Sequence, residues 1–247
     1  MSRLKVLLDG RHVATLDDLP GQGLASLSYT EEVVATAPGV HLLSVRLPVR
    51  QSFYPGVQVR AWMDGLLPEG DVRTILADRA RLDPGDLFGL LRAFGRDCAG
   101  AVTVIDPDEA ADEVETSVHW LSADELEQAV RDLPTQPFGI GVSGKVRISL
   151  SGVQGKLAIV VEDDRFGLPE GLAASTHILK PSPRTAEGLE RYPGIVTAEA
   201  MCMRVCHHLG LEVPDVNILE LPTGPALLVK RYDRRHNSDR SVSRVHQ

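Results

Sequence analysis

The sequence predicts an α+β fold made of two β-rich parts with antiparallel pairing. Three observations carry this. Short β-runs open the chain, and Asp9-Gly10, a two-residue turn signal, joins the first two. Near the other end, one long apolar-periodic segment, Ile195 to Leu209, is followed by two β-runs joined through Pro222-Thr223-Gly224-Pro225, giving the order strand, helix, hairpin. Between them, from Asp97 to Val130, stand ten acidic residues with no Lys or Arg, the mark of a solvated connection.

Taken in order, residues 3–8, 11–16 and 24–30 read as strands with turn signals between them, and Leu42 to Leu47 alternates like a fourth. Trp62 to Gly70 reads as a tight turn into a helix over 69–81, with Pro68 near the first turn and Glu69 and Asp71 at its positive end. A second helix follows, with Asp83 as cap, Pro84 at the first position, Asp86 in the first turn and Gly95 as stop. A strand over 101–105 closes this module. Residues 107–115 are too polar and self-repelling to pack, and Ser122-x-x-Glu125 is a capping box opening a short helix to Asp132. The parts are thus 1–106, an acidic linker with a short helix at 107–140, and 141–247. GIGVSGK at 139–145 matches two glycine-rich nucleotide patterns. Val146 replaces the hydroxyl residue that one of them needs, and no clear strand precedes it and no helix follows, so it reads as a flexible loop.

Composition narrows the function. A net charge of −8 argues against an overall nucleic-acid coat. No apolar run approaches the ~20 residues of a membrane span, and MSRLKVLLDG reads as a strand, not a signal peptide. Three cysteines, Cys98, Cys202 and Cys206, show no secreted framework, so a cytoplasmic setting is expected. Cys202 and Cys206 beside His207 and His208 read as buried thiols and not as a metal site.

The chemistry gathers at Arg147 to Lys156, RISLSGVQGK, which leads into a β-run at 157–161. A second strand, Thr176 to Lys180, delivers another lysine before Pro181. Glycines admit close backbone approach, successive amides make an anion-binding concavity, and two lysines beside it suggest a polyphosphate. Ser151, Gly152, Val153, Gln154 and Gly155 form the turn. Ile195, Ala198, Cys202, Val205 and Leu209 make one stripe, expected to be buried, with Glu199 at its margin. An acid there is costly unless paired, and Lys180 is the natural partner. An ordinary edge glutamate is the other reading.

ISLSGVQGK, THILKP, Glu199 and VKRYDRR resemble the HipA family, the Ser/Thr kinase toxins of bacterial toxin–antitoxin modules, and GLLPEG and RDCAGAV resemble its non-catalytic N-terminal subdomain. The resemblance implies a protein-kinase-like N-lobe at 141–247, an antiparallel sheet plus one main helix, with the C-lobe absent. It implies a flap at Ser151–Gly155 over the ATP phosphates, Lys156 and Lys180 on those phosphates, and Glu199 holding Lys180. Backbone groups around Lys230, Arg231 and Tyr232 would hold the adenine, though Tyr232 is equally a core aromatic. Asp233 would serve the ribose or Arg234 and Arg235, and both stay open. Ser149 matches the serine these kinases phosphorylate on themselves. The family's base and Mg²⁺ ligands sit in a D-G-H-x-K-N word and a later Asp, and neither is present, so the 247 residues read as the front half of a kinase, inactive alone. ATP and Mg²⁺ are the implied cofactors of the full-length family. The implied partners are a HipB-like helix-turn-helix antitoxin, operator DNA through that antitoxin, and a translation factor such as an aminoacyl-tRNA synthetase as substrate. No membrane is implied. The alternative is a truncated, non-catalytic homologue that binds the antitoxin and tunes repression. Six Lys/Arg against two Asp in 230–247 read as a solvated charged loop.

Overall fold

The computed structural model describes residues 2–108, 116–143, 148–152, 154–184, 189–239 and 241–246. The chain forms two compact units: 1–115 with 147–153 and 243–247, and 116–146 with 154–242.

The first unit is a four-stranded antiparallel sheet in the order β3-β2-β1-β4, from β1 (Arg3–Leu8), β2 (Arg11–Leu19), β3 (Leu24–Tyr29) and β4 (Val102–Ile105). Asp9 and Gly10 both take positive φ, 47° and 81°, the tight turn their dipeptide specifies. Helices α1 (Glu31–Thr36), α2 (Gly56–Gly65), α3 (Gly70–Ala80) and α4 (Leu87–Phe94) accompany the sheet, and Leu4, Val6, Leu16, Leu27, Leu67, Leu91 and Val104 are buried in this unit. Three expectations are corrected. Leu42 to Leu47 is a run of turns: Leu43 and Leu47 are buried but Val45 is exposed, a spacing of four and not two. The α4 cap is Asp86, whose carboxylate accepts from Gly89 N–H, while Asp83 accepts from Gly85 N–H one turn earlier. Trp62 to Gly65 belongs to α2, which has no capping side chain to announce it.

The second unit is a six-stranded sheet in the order β5-β7-β6-β8-β10-β9. Its strands are β5 (Ser117–Leu121), β6 (Leu157–Glu162), β7 (Arg165–Glu170), β8 (His177–Pro181), β9 (Val216–Leu221) and β10 (Gly224–Lys230). β11 (Arg234–His236) follows. Asp163 and Asp164, both at positive φ, turn β6 into β7; neither β5 nor β7 was marked by alternation clear enough to read. α5 (Ala123–Asp132) opens on the expected capping box, with Ser122 Oγ accepting from Glu125 N–H and the Glu125 carboxylate accepting from Ser122 N–H. The expected loop is helical at α6 (Ile140–Ser143); Gly144, Lys145 and Val146 lie outside the described residues.

The last helix, α7 (Ile195–His208), packs the opposite face to the one expected. Val196 and Ala200 are buried against Leu227, flanked by Val216, Ile218 and Val229. Ile195, Met201, Val205 and Leu209 are exposed. The helix carries apolar residues on both faces, and periodicity alone cannot say which one a sheet will take. Cys202 is therefore exposed and Cys206 half-buried; only Cys98 is a buried thiol.

Candidate functional site

The site in the second unit is built on β8. In the antiparallel ladder Lys180 stands opposite Leu227 of β10, and directly opposed residues share a sheet face. Leu227 lies under α7, so Lys180 emerges on the face this helix covers. On α7, Glu199 lies between Val196 and Ala200, on the inward side. The Lys180 ammonium donates to the Glu199 carboxylate, joining strand to helix. The two side chains remain 22% and 35% exposed, so the pair orients the lysine more than it stabilises the fold.

β6 pairs with β8 at Leu157↔Leu179, Ala158↔Ile178 and Ile159↔His177. Lys156 directly precedes β6, one residue beyond the Leu157↔Leu179 pair, and Lys180 directly follows Leu179, so the two lysines leave the paired ladder at the same end. Gln154 donates from Nε2 to the Pro181 carbonyl at 3.2 Å, tying the end of the preceding loop to the end of β8. At Gly155 a Cβ would lie 3.7 Å from the Leu133 Cβ, an ordinary contact, so packing in the protein does not itself demand glycine there.

Earlier in the same stretch, Ser149 is fully buried in the first unit. Its hydroxyl donates to the Leu66 carbonyl at 2.6 Å and its N–H to the Asp97 carbonyl at 3.2 Å. Ile148 forms a parallel bridge with Asp97. Ser151 is exposed, and Gly152 is half-buried with φ of 107°, which only glycine adopts easily. Arg147 and Val153 lie outside the described residues. The GLLPEG and RDCAGAV words thus supply the carbonyls on which Ser149 rests, a link between distant stretches that no local spacing announces.

Beyond β10 the chain is locked by a buried charge network. The Arg231 guanidinium donates to both Asp233 carboxylate oxygens, at 2.9 and 2.7 Å, and to Ser175 Oγ at 2.8 Å. Arg234 donates to the Ser175 carbonyl at 3.0 Å and the Asp233 carbonyl at 2.8 Å, with its Nη1 3.2 Å from the Asp233 carboxylate. All three charged residues are buried. Asp233 thus serves Arg231 and Arg234, and the Arg231 side chain faces the protein interior. Backbone N–H groups in this stretch are also engaged, Lys230 with the Asp215 carbonyl and Arg231 with the Thr176 carbonyl, both at 2.9 Å. Tyr232 is 66% exposed, which removes the core-aromatic reading. His177 accompanies Lys230 across the β8–β10 ladder; burial pushes its pKa down from 6.5 to about 4, helped by the positive charge of Lys230 and by His236. Arg234 was one of the partners expected for Asp233, whereas Arg231 and Ser175 escaped sequence reasoning, because a run of arginines does not say which one folds inward.

Among the described residues no cluster of three His, Cys, Asp or Glu is placed to hold a metal ion. No helix among them is long and apolar enough to cross a membrane.

Comparison with known proteins agrees with this geometry. Residues 4–105 match the HipA N-terminal domain family, and residues 148–247 match the HipA-like C-terminal domain family. The Sinorhizobium fredii protein Y4mE is 34% identical over 209 residues, covering 83% of this chain and 48% of Y4mE. The serine/threonine-protein kinase toxin HipA of Shewanella oneidensis is 34% identical over 179 residues, covering 72% of this chain and 39% of that toxin. The solved Shewanella oneidensis HipA, from a complex with HipB and operator DNA, superposes with a TM-score of 0.77 at 28% identity, over 98% of this chain and 54% of that one. Both family matches and the relatives agree: the chain belongs to the HipA family of kinase toxin homologues, and spans about half the length of the relatives it matches.

Proposed function

We propose that this chain is the nucleotide-binding portion of a HipA-like, ATP-dependent protein serine/threonine kinase toxin. The observation that carries the reading is the Lys180–Glu199 pair, supported by Lys156 lying next to the end of β6 that pairs with β8. In this reading Glu199 holds Lys180 extended, and Lys180 and Lys156 hold the α- and β-phosphates of ATP. Bound ATP supplies the phosphoryl group. Gln154 and Gly155 shape the loop beside the phosphates, and backbone groups at Lys230 and Tyr232 receive the adenine. The Mg²⁺ ligands and the residue that orients the attacking hydroxyl belong to the D-G-H-x-K-N part of the family, which these 247 residues lack. Ser149 is the self-phosphorylation site. With its hydroxyl buried on Leu66, it accepts phosphate only after residues 148–152 leave that bed.

The Shewanella HipA was solved together with HipB and operator DNA, which supports a helix-turn-helix antitoxin as partner here and operator contact through it. We assign the substrate to the translation machinery, with an aminoacyl-tRNA synthetase as the type, and the setting to the cytoplasm. The second reading is a non-catalytic homologue that binds the antitoxin and tunes repression, and it draws on the same Shewanella complex of HipA with HipB and operator DNA.

Both readings are tested together. Purified chain with Mg-ATP is expected to bind nucleotide and to incorporate no phosphate into itself, and Glu199→Gln is expected to weaken binding. Phosphate transfer by the 247 residues would refute the assignment of the base elsewhere. Antitoxin binding without any nucleotide binding would favour the second reading.

A further inference from the structure

The outer face of α7 is the most concentrated apolar surface on the described chain. Of thirteen exposed large hydrophobic residues, seven fall between 189 and 211: Leu189, Tyr192, Ile195, Met201, Val205, Leu209 and Leu211. Single exposed apolar residues need no explanation, but a contiguous set marks an interaction surface. Three of them, Met201, Val205 and Leu209, line a groove of about 540 Å³ between α7 and β9. Met201, Arg204, Val205, His208 and Leu209 line it from the helix and Ile218 from the strand. β9 ends the sheet, so no further strand closes that side. Met201, Val205 and Leu209 recur every four residues, forming the ridge against which another helix packs.

The polar residues of the groove say what sits there. Arg204 and His208 line it and no Asp or Glu does, in a chain whose net charge is −8. A second copy of this chain paired two-fold through the same groove would bring another Arg204 and His208 and no lining carboxylate, so the groove's charge would go unmatched. We propose that the α7–β9 groove is a docking site for an acidic amphipathic helix of a separate protein. Apolar residues of that helix interleave with Met201, Val205 and Leu209, and its carboxylates meet Arg204 and His208. Glu199 lies on the inward side of the same helix, so the docked segment presses α7 toward the sheet and favours the Lys180–Glu199 pair. This coupling rests on the nucleotide reading; the docking itself does not.

A phage-displayed library of random 16-residue peptides, selected on the 247-residue chain and counter-selected on Val205→Glu, tests it. Val205 is 48% exposed, so that variant keeps its fold, as an unchanged unfolding midpoint verifies. Enriched peptides are expected to carry apolar residues three or four apart with excess Asp and Glu. The most enriched one, synthesised, is expected to bind about tenfold or more weakly to Val205→Glu and to Arg204→Glu. No enrichment over Val205→Glu, or enrichment without acidic excess, overturns the proposal. So does a dimer of the chain, seen by sedimentation, that Val205→Glu dissolves, or loss of peptide binding in a longer family member whose own second half covers this face. Where the peptide binds, its effect on ATP affinity reads the coupling alone. Glu199→Gln should abolish that effect, and peptide binding should weaken only by the same factor that the peptide adds to ATP affinity in the parent chain.

Discussion

Asp233 is enclosed by two guanidiniums, and both depend on it for charge. Breaking a buried ion network from one side leaves uncompensated charge in a poor solvent, so Asp233→Asn is expected to destabilise the chain by about 3–5 kcal/mol in urea unfolding. A loss under ~1 kcal/mol would mean that the network is wet. Ser149→Ala strands the buried Leu66 carbonyl and should cost about 1–3 kcal/mol by the same measurement. His177 carries a pH dependence. Its folded pKa is lowered to about 4 against an ordinary 6.5, so the unfolded chain takes up a proton first as pH falls. The stability it contributes is complete above 6.5 and is lost as pH drops toward 4. Comparing unfolding at pH 7.5 and about 5 should show a shallower decline for His177→Gln than for the parent chain. At this scale the Lys180–Glu199 contact was expected only through the resemblance of THILKP and Glu199 to the HipA family, because the apolar stripe beside which Glu199 was read is the exposed one. For Asp233 the reading through Arg234 was open and held, while Arg231 was missed and Arg235 was named in its place.

Helix α7 shows how far periodicity reaches. Its extent and its place between β8 and β9 were readable, because one apolar-periodic run spans Ile195 to Leu209. Its buried face was not, because two apolar stripes coexist and only the sheet, through Leu227, Ile218 and Val229, selects between them. The strands β5 and β7 were missed for a related reason: SVHWL and RFGLPE alternate weakly, and their pairing is fixed by each other and by β6. Local chemistry was more reliable where a side chain meets its own backbone. The capping box of α5 follows directly from Ser122 and Glu125. Ser122→Ala is expected to cost about 1 kcal/mol of unfolding free energy. The two hydrogen bonds from Ser122 hold the Glu125 pKa below its usual value, so the box is complete above that usual value and is lost as pH falls through the lowered one. A Ser122→Ala effect undiminished at low pH would contradict that coupling.

Across the molecule, the α+β class and the antiparallel sheets were legible from turn dipeptides and the order of elements. The return of residues 148–152 to the first unit was not, because Ser149 meets Leu66 across 83 positions of sequence and no local pattern encodes so distant a contact. The second unit carries the functional claim by itself: β8 and α7 bring Lys180 and Glu199 together, and β6, which begins one residue after Lys156, pairs with β8. The most direct measurement is a nuclear magnetic resonance titration of the 247-residue chain with ATP, beside Lys180→Ala verified to unfold at the same midpoint. Saturable shifts along β6 and β8 are expected, with affinity about tenfold or more weaker in the variant. Equal affinity in the two proteins would contradict the two-lysine site.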